Sequence, residues 1–221
     1  MKSVLLRLEG PQQSWGLVSR FDERDTALEP TKSGVVGLCA AALGISRADT
    51  EALRPFAALR MAVRIDRPGT LARDFQTAGG GRFGGEDYGV RKASGGAGDT
   101  VISRRAYLAD ASFLAALGGE DHELIAHIDA ALRSPHWPLF LGRRSFVPTT
   151  GIAGGVVDLD PVTALERAQR DARRAKGTLS LVVEVTDGGL PRNDQPLSFT
   201  SDDRRFASRL VEDREVHPPE I

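Results

Sequence analysis

Apolar residues along this chain fall in short runs divided by long polar stretches. Val4 to Leu8 is a run of strand length interrupted by Arg7, and it predicts a buried first strand. Gly10 to Pro30 is polar and rich in turn-forming residues, so it predicts a long loop. Gly34 to Gly44 is built from Gly, Ala, Val and Leu and predicts a narrow helix able to pack close against a sheet. Ser46 opens a second short helix, with Asp49 in its first turn and Pro55 near its end. Leu59, Met61, Val63 and Ile65 alternate and predict one face of a strand over Leu59 to Ile65.

The stretch from Thr77 to Asp99 breaks the pattern. It carries Gly79-Gly80-Gly81, Gly84-Gly85, Gly89, Gly95-Gly96 and Gly98, with Arg82, Phe83, Tyr88, Arg91 and Lys92 among them. Such a segment buries no core of its own. It is either a flexible insertion or a segment ordered by a partner. Thr100 to Leu108 resumes as a strand, with Val101, Ser103, Arg105 and Tyr107 on one face and Ile102, Arg104, Ala106 and Leu108 on the other. The strands flanking the glycine-rich stretch therefore predict a long hairpin, an arm projecting from the body.

Asp121 to Leu132 predicts an amphipathic helix with Leu124, Ile125, Ile128 and Leu132 on one stripe, stopped by Pro135. Pro138 to Val147 is short and extended around Gly142-Arg143-Arg144. Asp160 caps a helix that begins at Pro161 and ends in basic turns through Arg167, Arg170, Arg173, Arg174 and Lys176. Leu179 to Val185 predicts a strand, and Phe199 to Val216 a charged, extended tail. No repeat of fixed period is present. The order of elements fits an α+β fold, a βαββαβ ferredoxin-like core of the kind shared by RRM proteins that bind RNA.

Composition narrows the class. The 221 residues suffice for one large domain, or one domain with an appendage, and a hydrophobic fraction of 41% supports a core. No apolar run approaches a membrane span. Arg7 cuts short any signal-peptide core, so the expected location is the cytoplasm. Cys39 is the only cysteine and lies in an apolar run, which excludes a disulfide framework and a cysteine-based zinc site. Net charge is −1, so the chain as a whole is not a basic nucleic-acid binder. Of the 29 basic residues only Lys2, Lys32, Lys92 and Lys176 are lysine. Arginine grips phosphate in a fork and stacks on bases, although a GC-rich genome biases composition the same way. Paired arginines therefore carry more information than the total.

Three places concentrate candidate chemistry. Pro30-Thr31-Lys32-Ser33-Gly34 opens a helix, and a helix start attracts anions. Lys32 and Arg24 would add mobile positive charge there, giving a phosphate seat; the structural alternative is an N-cap followed by close helix–sheet packing. Arg104-Arg105 lies on a strand, where neighbours face opposite ways, so one arginine should reach a ligand or an acid. The alternative is a salt-bridged edge strand. Arg143-Arg144 follows Gly142, which would let a backbone approach closely. Trp15 suits either a core or a stacking surface.

Catalytic and metal chemistry find little support. His122 and His127 are five apart rather than four, and His136 and His217 sit near prolines in loops, so no metal site is expected. No nucleophile elbow is present. Lys32-Ser33 ends like a P-loop, but Asp25 to Thr31 contains no glycine, so nucleotide hydrolysis is not expected. No cofactor is implied.

Several of these pieces also occur together in one family. Leu8-x-Gly10-Pro11-x-Gln13-Ser14-Trp15-Gly16, Pro30 to Leu38, Tyr107 to Phe113, Leu141-Gly142-Arg143-Arg144-Ser145 and Phe206-Ala207-Ser208-Arg209 run in order along the chain. Together they resemble the Cas-five family, in its CasD branch from the type I-E CRISPR Cascade complex. The resemblance implies a single RRM-like domain over residues 1–221, with a glycine-rich thumb at about residues 70–105. It implies a noncatalytic, cytoplasmic subunit of antiviral defence that grips the 5′ handle of a CRISPR RNA. The implied partners are that crRNA, the large subunit and the last backbone subunit, with no membrane and no cofactor.

The family's thumb pattern Arg-Asp-aromatic-x-Thr stands here as Arg73-Asp74-Phe75-Gln76-Thr77, with Gln76 where the family usually has His. The RNA-contacting residues expected from residues and resemblance together are Ser14, Trp15, Arg24, Lys32, Ser33, Gly34, Gln76, Thr77, Arg82, Arg91, Arg104, Arg105, Tyr107, Arg143 and Arg144. The alternative is a metal-independent endoribonuclease that processes precursor crRNA, for which Tyr107, His136, Lys32 and Gln76 are the nearby groups.

Overall fold

A computed structural model describes residues 1–17, 22–80, 82–83, 86–87, 90, 100–169 and 177–219. The fold is α+β, mostly antiparallel sheet with few helices. Its main sheet has seven strands. In chain order they are β1 (Lys2–Glu9), β4 (Arg60–Arg67), β9 (Ser112–Gly119), β10 (Ala153–Val157), β11 (Leu179–Val185), β12 (Leu190–Ser198) and β13 (Arg205–Val216). In space they run β10-β1-β9-β4-β11-β13-β12, every pair antiparallel. A second sheet forms around β8 (Val101–Ala109). The strand β5 (Thr70–Ala78) lies on one side of it, and the two-residue strands β2 (Gln12–Gln13) and β3 (Glu23–Arg24) on the other. Within the glycine-rich segment, β6 (Arg82–Phe83) pairs with β7 (Glu86–Asp87).

The main sheet is covered on both faces. Helices α1 (Lys32–Leu43) and α3 (His122–Arg133) cover one face, where Leu6, Leu8, Leu117, Ile125 and Ile128 are fully buried. Each such side chain contributes about 1.5–3 kcal/mol. Helix α4 (Pro161–Arg167) covers the other face over Leu5, Ala62, Leu114 and Ala116. The short helix α2 (Thr50–Leu53) and a 3₁₀ turn (Arg54–Ala58) lead into β4. Arg64 of β4 is buried beneath α4. Its Nη1 donates to the carbonyls of Leu165 (2.7 Å) and Ala168 (2.6 Å), and Asp66 accepts from its Nε at 2.7 Å. A cation thus satisfies the open carbonyl end of α4.

Several expectations need correction. The rising strand of the arm is Thr70–Ala78; the Leu59 to Ile65 strand belongs to the main sheet, where β4 joins β9 to β11. The pattern showed no strand at Ser112–Gly119, which is central. Every residue of β9 is buried, so the alternation that marks a half-exposed strand is absent. Ala153–Val157 is a further strand that the pattern does not predict, and Pro138 to Val147 forms turns rather than an extended segment. The helix capped by Asp160 ends at Arg167, and residues 170–176 lie outside the described residues. The extended tail exists as β13, paired on both sides.

Candidate nucleic-acid interface

Strand register at the base of the arm puts charge in two rows. Arg105 on β8 lies opposite Asp74 on β5 and Arg24 on β3, so Arg24, Arg105 and Asp74 share one face. Glu23, Arg104 and Phe75 form the row on the opposite face. On that second face the Arg104 Nη1 donates to Glu23 Oε1 at 3.2 Å, so Arg104 takes the edge-strand salt bridge. On the first face neither Arg24 nor Arg105 forms an ion pair among the described residues. The Nε of Arg105 donates to the Ser103 hydroxyl at 2.9 Å, which fixes its direction along the strand.

Arg143 completes the cluster from a different part of the chain. Its Nη2 donates to the Ala106 carbonyl at 2.7 Å, and its Cζ lies 5.2 Å above the Phe146 ring. The Tyr107 and Phe146 rings are 5.8 Å apart. The Nη1 of Arg143 is buried without a hydrogen-bond partner. Burial pushes the pKa of this guanidinium below its ordinary value, Arg105 and Arg24 push the same way, and Asp74 opposes them. Three guanidiniums therefore feel one another in a partly desolvated corner, with one carboxylate among them. Such a corner attracts a further anion.

The positioning of Arg143 depends on Gly142, whose φ is +101°. A Cβ there would lie 1.9 Å from the Ser14 carbonyl oxygen. The Gln13-Ser14-Trp15 segment is the wall against which that turn packs. Ser14 is buried, and its N–H donates to the Leu141 carbonyl at 3.0 Å. Gln13 donates to the carbonyls of Leu8 (3.0 Å) and Ala111 (2.8 Å) and accepts from Trp15 Nε1 at 3.2 Å. Trp15 is 2% exposed, and a Cβ on Gly34 would meet its ring at 2.8 Å. Trp15 is thus core and offers no open stacking face.

The helix start is also occupied from within. Lys32 is fully buried, and its Nζ sits 2.9 Å from Glu184 Oε2, so it is not the mobile cation expected. Burial lowers its pKa from 10.5, and Glu184 counteracts. The Lys32 backbone N–H donates to Asp194 Oδ2 at 2.8 Å, and Thr31 Oγ1 accepts from Gly34 N–H at 3.3 Å. Arg209 closes the network, reaching Asp194 Oδ1 at 2.6 Å and Glu184 Oε2 at 3.6 Å. The anion drawn to this helix start is Asp194, and a phosphate placed there would meet two carboxylates. Ser33 is half-buried, its hydroxyl 3.4 Å from that of Thr31.

The remaining expected residues fall in the arm segment and, for Arg144, in the turn after Gly142. Gln76 shares the face of Asp74 and Arg105, and Thr77 lies on the opposite face. Arg144 is exposed. Arg82 is in β6, and its side chain, like the whole of Arg91, lies outside the described residues. Sequence reasoning missed Phe146, Glu184 and Asp194 as supports, and it named Asp74 only as part of a pattern. For Asp74 the available signal was its place in the Arg73-to-Thr77 pattern just before the glycine-rich stretch. Among the described residues no group of three His, Cys, Asp or Glu could hold a metal, and no helix is long and apolar enough to cross a membrane.

Comparison with known proteins yields one consistent family. Residues 3–212 match the family model described as CRISPR-associated protein (Cas_Cas5). The chain is 37% identical over 153 residues to the CRISPR system Cascade subunit CasD of Escherichia coli (strain K12), covering 64% of this chain and 65% of that protein. The aligned part is therefore just under two thirds of that relative. Among solved structures, a chain of a CRISPR RNA-guided surveillance complex superposes with a TM-score of 0.80 at 37% identity, covering 98% of this chain and 91% of that one. A Cas protein crystal structure superposes at 0.73 with 38% identity, covering 97% and 95%.

Proposed function

Because the chain belongs to the CRISPR-associated Cas5 family, we propose that it is a noncatalytic subunit of a type I-E Cascade surveillance complex that grips the 5′ handle of the crRNA. The observation that carries this reading is the arginine corner at the base of the arm. Among the described residues Arg24 and Arg105 stand side by side and form no ion pair, and Arg143 brings a buried, unbonded N–H beside them. Single-stranded RNA supplies what that corner lacks: phosphates for the guanidiniums and unstacked bases for neighbouring polar groups. Nothing in this role asks the protein to make or break a bond.

The strands β10, β1, β9 and β4 are neighbours in the order fourth, first, third, second, with α1 and α3 on one face. That order supports one RRM-like body, with about residues 70–105 as its thumb. Gln76, Thr77, Arg82 and Arg91 on that thumb, together with Arg144 beside Arg143, are proposed to line the RNA path. Tyr107 acts through its packing against Phe146. Ser14 and Trp15, with Gly34 against the Trp15 ring, form the wall on which the Arg143 turn packs, whereas Lys32 and Ser33 belong to the internally satisfied helix start. The partners are the crRNA, the large subunit and the last backbone subunit.

The test is a binding titration with handle RNA, read together with a cleavage gel on repeat RNA. Arg105→Ala should weaken binding by about 1.5–3 kcal/mol, the range for a charge-assisted hydrogen bond. It should also lower the salt slope by about 0.7 for each phosphate that the side chain no longer neutralises. Arg104→Ala, whose partner is Glu23, should have little effect. Equal effects of the two variants would refute the assignment of the face. Discrete cleavage products from repeat RNA would replace the binder with a nuclease.

A further inference from the structure

We propose that Asp74 is a specificity-determining residue of this RNA site, its carboxylate accepting a hydrogen bond from the exocyclic amine of an unpaired base. The inference rests on the RNA-binding reading and adds a base preference to it. Three observations carry it. Asp74 lies directly across β5–β8 from Arg105, on the face that also carries Arg24. Strands are about 4.8 Å apart, so the three residues span roughly 10 Å, about the width of one nucleotide lying across the strands. Asp74 is only half-buried, and among the described residues it forms no hydrogen bond and no ion pair. Arg105 turns its Nε to Ser103 instead.

The opposite face of the same sheet supplies the contrast. There Glu23 closes onto Arg104 at 3.2 Å, as a carboxylate does when its task is to neutralise a neighbouring arginine. Asp74 has the equivalent opportunity and, among the described residues, forms no such pair. Its charge still reaches the Arg143 guanidinium. A corner meant for phosphate alone needs donors only, and a carboxylate within it repels the ligand. A base edge presents donors and acceptors together. Cytosine and adenine carry an amine for a carboxylate and ring acceptors for an arginine, whereas uracil puts a carbonyl oxygen where cytosine has its amine. An ionised carboxylate accepts but cannot donate, so it selects cytosine over uracil at fixed ring size.

The experiment is fluorescence anisotropy of the intact chain with labelled cytosine and uracil octamers at one salt concentration. The wild type should bind the cytosine octamer about tenfold more tightly, equivalent to about 1.4 kcal/mol. Asp74→Ala should erase that ratio while leaving uracil binding unchanged or stronger. Asp74→Asn keeps the side-chain shape and adds a donor for the uracil carbonyl, so it should also lose the preference; it reads the same question should Asp74→Ala fold poorly. A wild type with no preference overturns the inference, as does a preference that survives both variants. Equal tightening for both octamers overturns it too, because Asp74 would then only screen the arginines. If neither octamer binds, the RNA-binding reading fails, and the base preference falls with it.

Discussion

Replacing Lys32 by Met separates a structural helix start from a ligand site. The substitution keeps a long apolar stem and removes the ammonium that lies 2.9 Å from Glu184. Removing one partner of a buried ion pair costs about 3–5 kcal/mol, because the other charge stays behind in low dielectric. Here Glu184 keeps Arg209 at 3.6 Å and the Met61 N–H at 3.1 Å, so the loss should lie near the lower end, about 3 kcal/mol. For a chain of this length about 2–4 °C is lost per kcal/mol, which places the fall in melting temperature at about 6–12 °C. Thermal denaturation followed by circular dichroism measures it. RNA affinity, taken at a temperature where both proteins are folded, should change by less than about twofold.

The pH dependence gives a second reading. Burial holds the Lys32 pKa below 10.5, so between the folded value and 10.5 the unfolded chain retains more protons. Stability contributed by this group therefore rises with pH through that window and is flat below it. Lys32→Met should lack the rise. An unchanged melting temperature together with weaker RNA binding and a salt slope lower by about 0.7 would refute the network and restore Lys32 as a phosphate ligand.

Two further predictions address a support of the site and a helix cap on the other face of the main sheet. Gly142→Ala forces a Cβ to within 1.9 Å of the Ser14 carbonyl oxygen at a φ of +101°; it should destabilise the protein by more than about 2 kcal/mol in urea titrations and weaken RNA binding by displacing Arg143. Asp160→Ala should cost about 1 kcal/mol, the ordinary loss of an N-cap. Burial pushes the Asp160 carboxyl up, but hydrogen bonds from Thr163 and Val162 outweigh it and hold the pKa below 3.8. The cap therefore acts fully above that value and fades as pH falls through the lowered one, so the stability gap between wild type and variant should narrow in acid.

Much of this protein was legible along the chain. Strand β1, helix α1, the amphipathic α3 and the capped α4 each carry their own local signal: an apolar run, small residues, a stripe or an Asp-Pro start. The arm announced itself through glycine, and the ordered motifs from Leu8 to Arg209 indicated the family. Local signals failed where both faces of an element are covered. Strand β9 is buried throughout, so no polar alternation marks it, although it is the strand that joins β1 to β4.

The site divides in the same way. Sequence could say that Arg104 and Arg105 face apart, since that follows from the pleat of any strand. It could not say which one an acid neutralises. That depends on Glu23 arriving in parallel register beside Arg104, which leaves Arg24 beside Arg105. Nor could it say that the Lys32 ammonium belongs to Glu184, 152 residues away, or that Asp194 takes the Lys32 backbone N–H from 162 residues away. Propensity, capping and pattern act within a few residues, so they write the elements into the sequence. The partner of a charge depends on which distant strands are hydrogen-bonded side by side, and only the assembled sheets decide that.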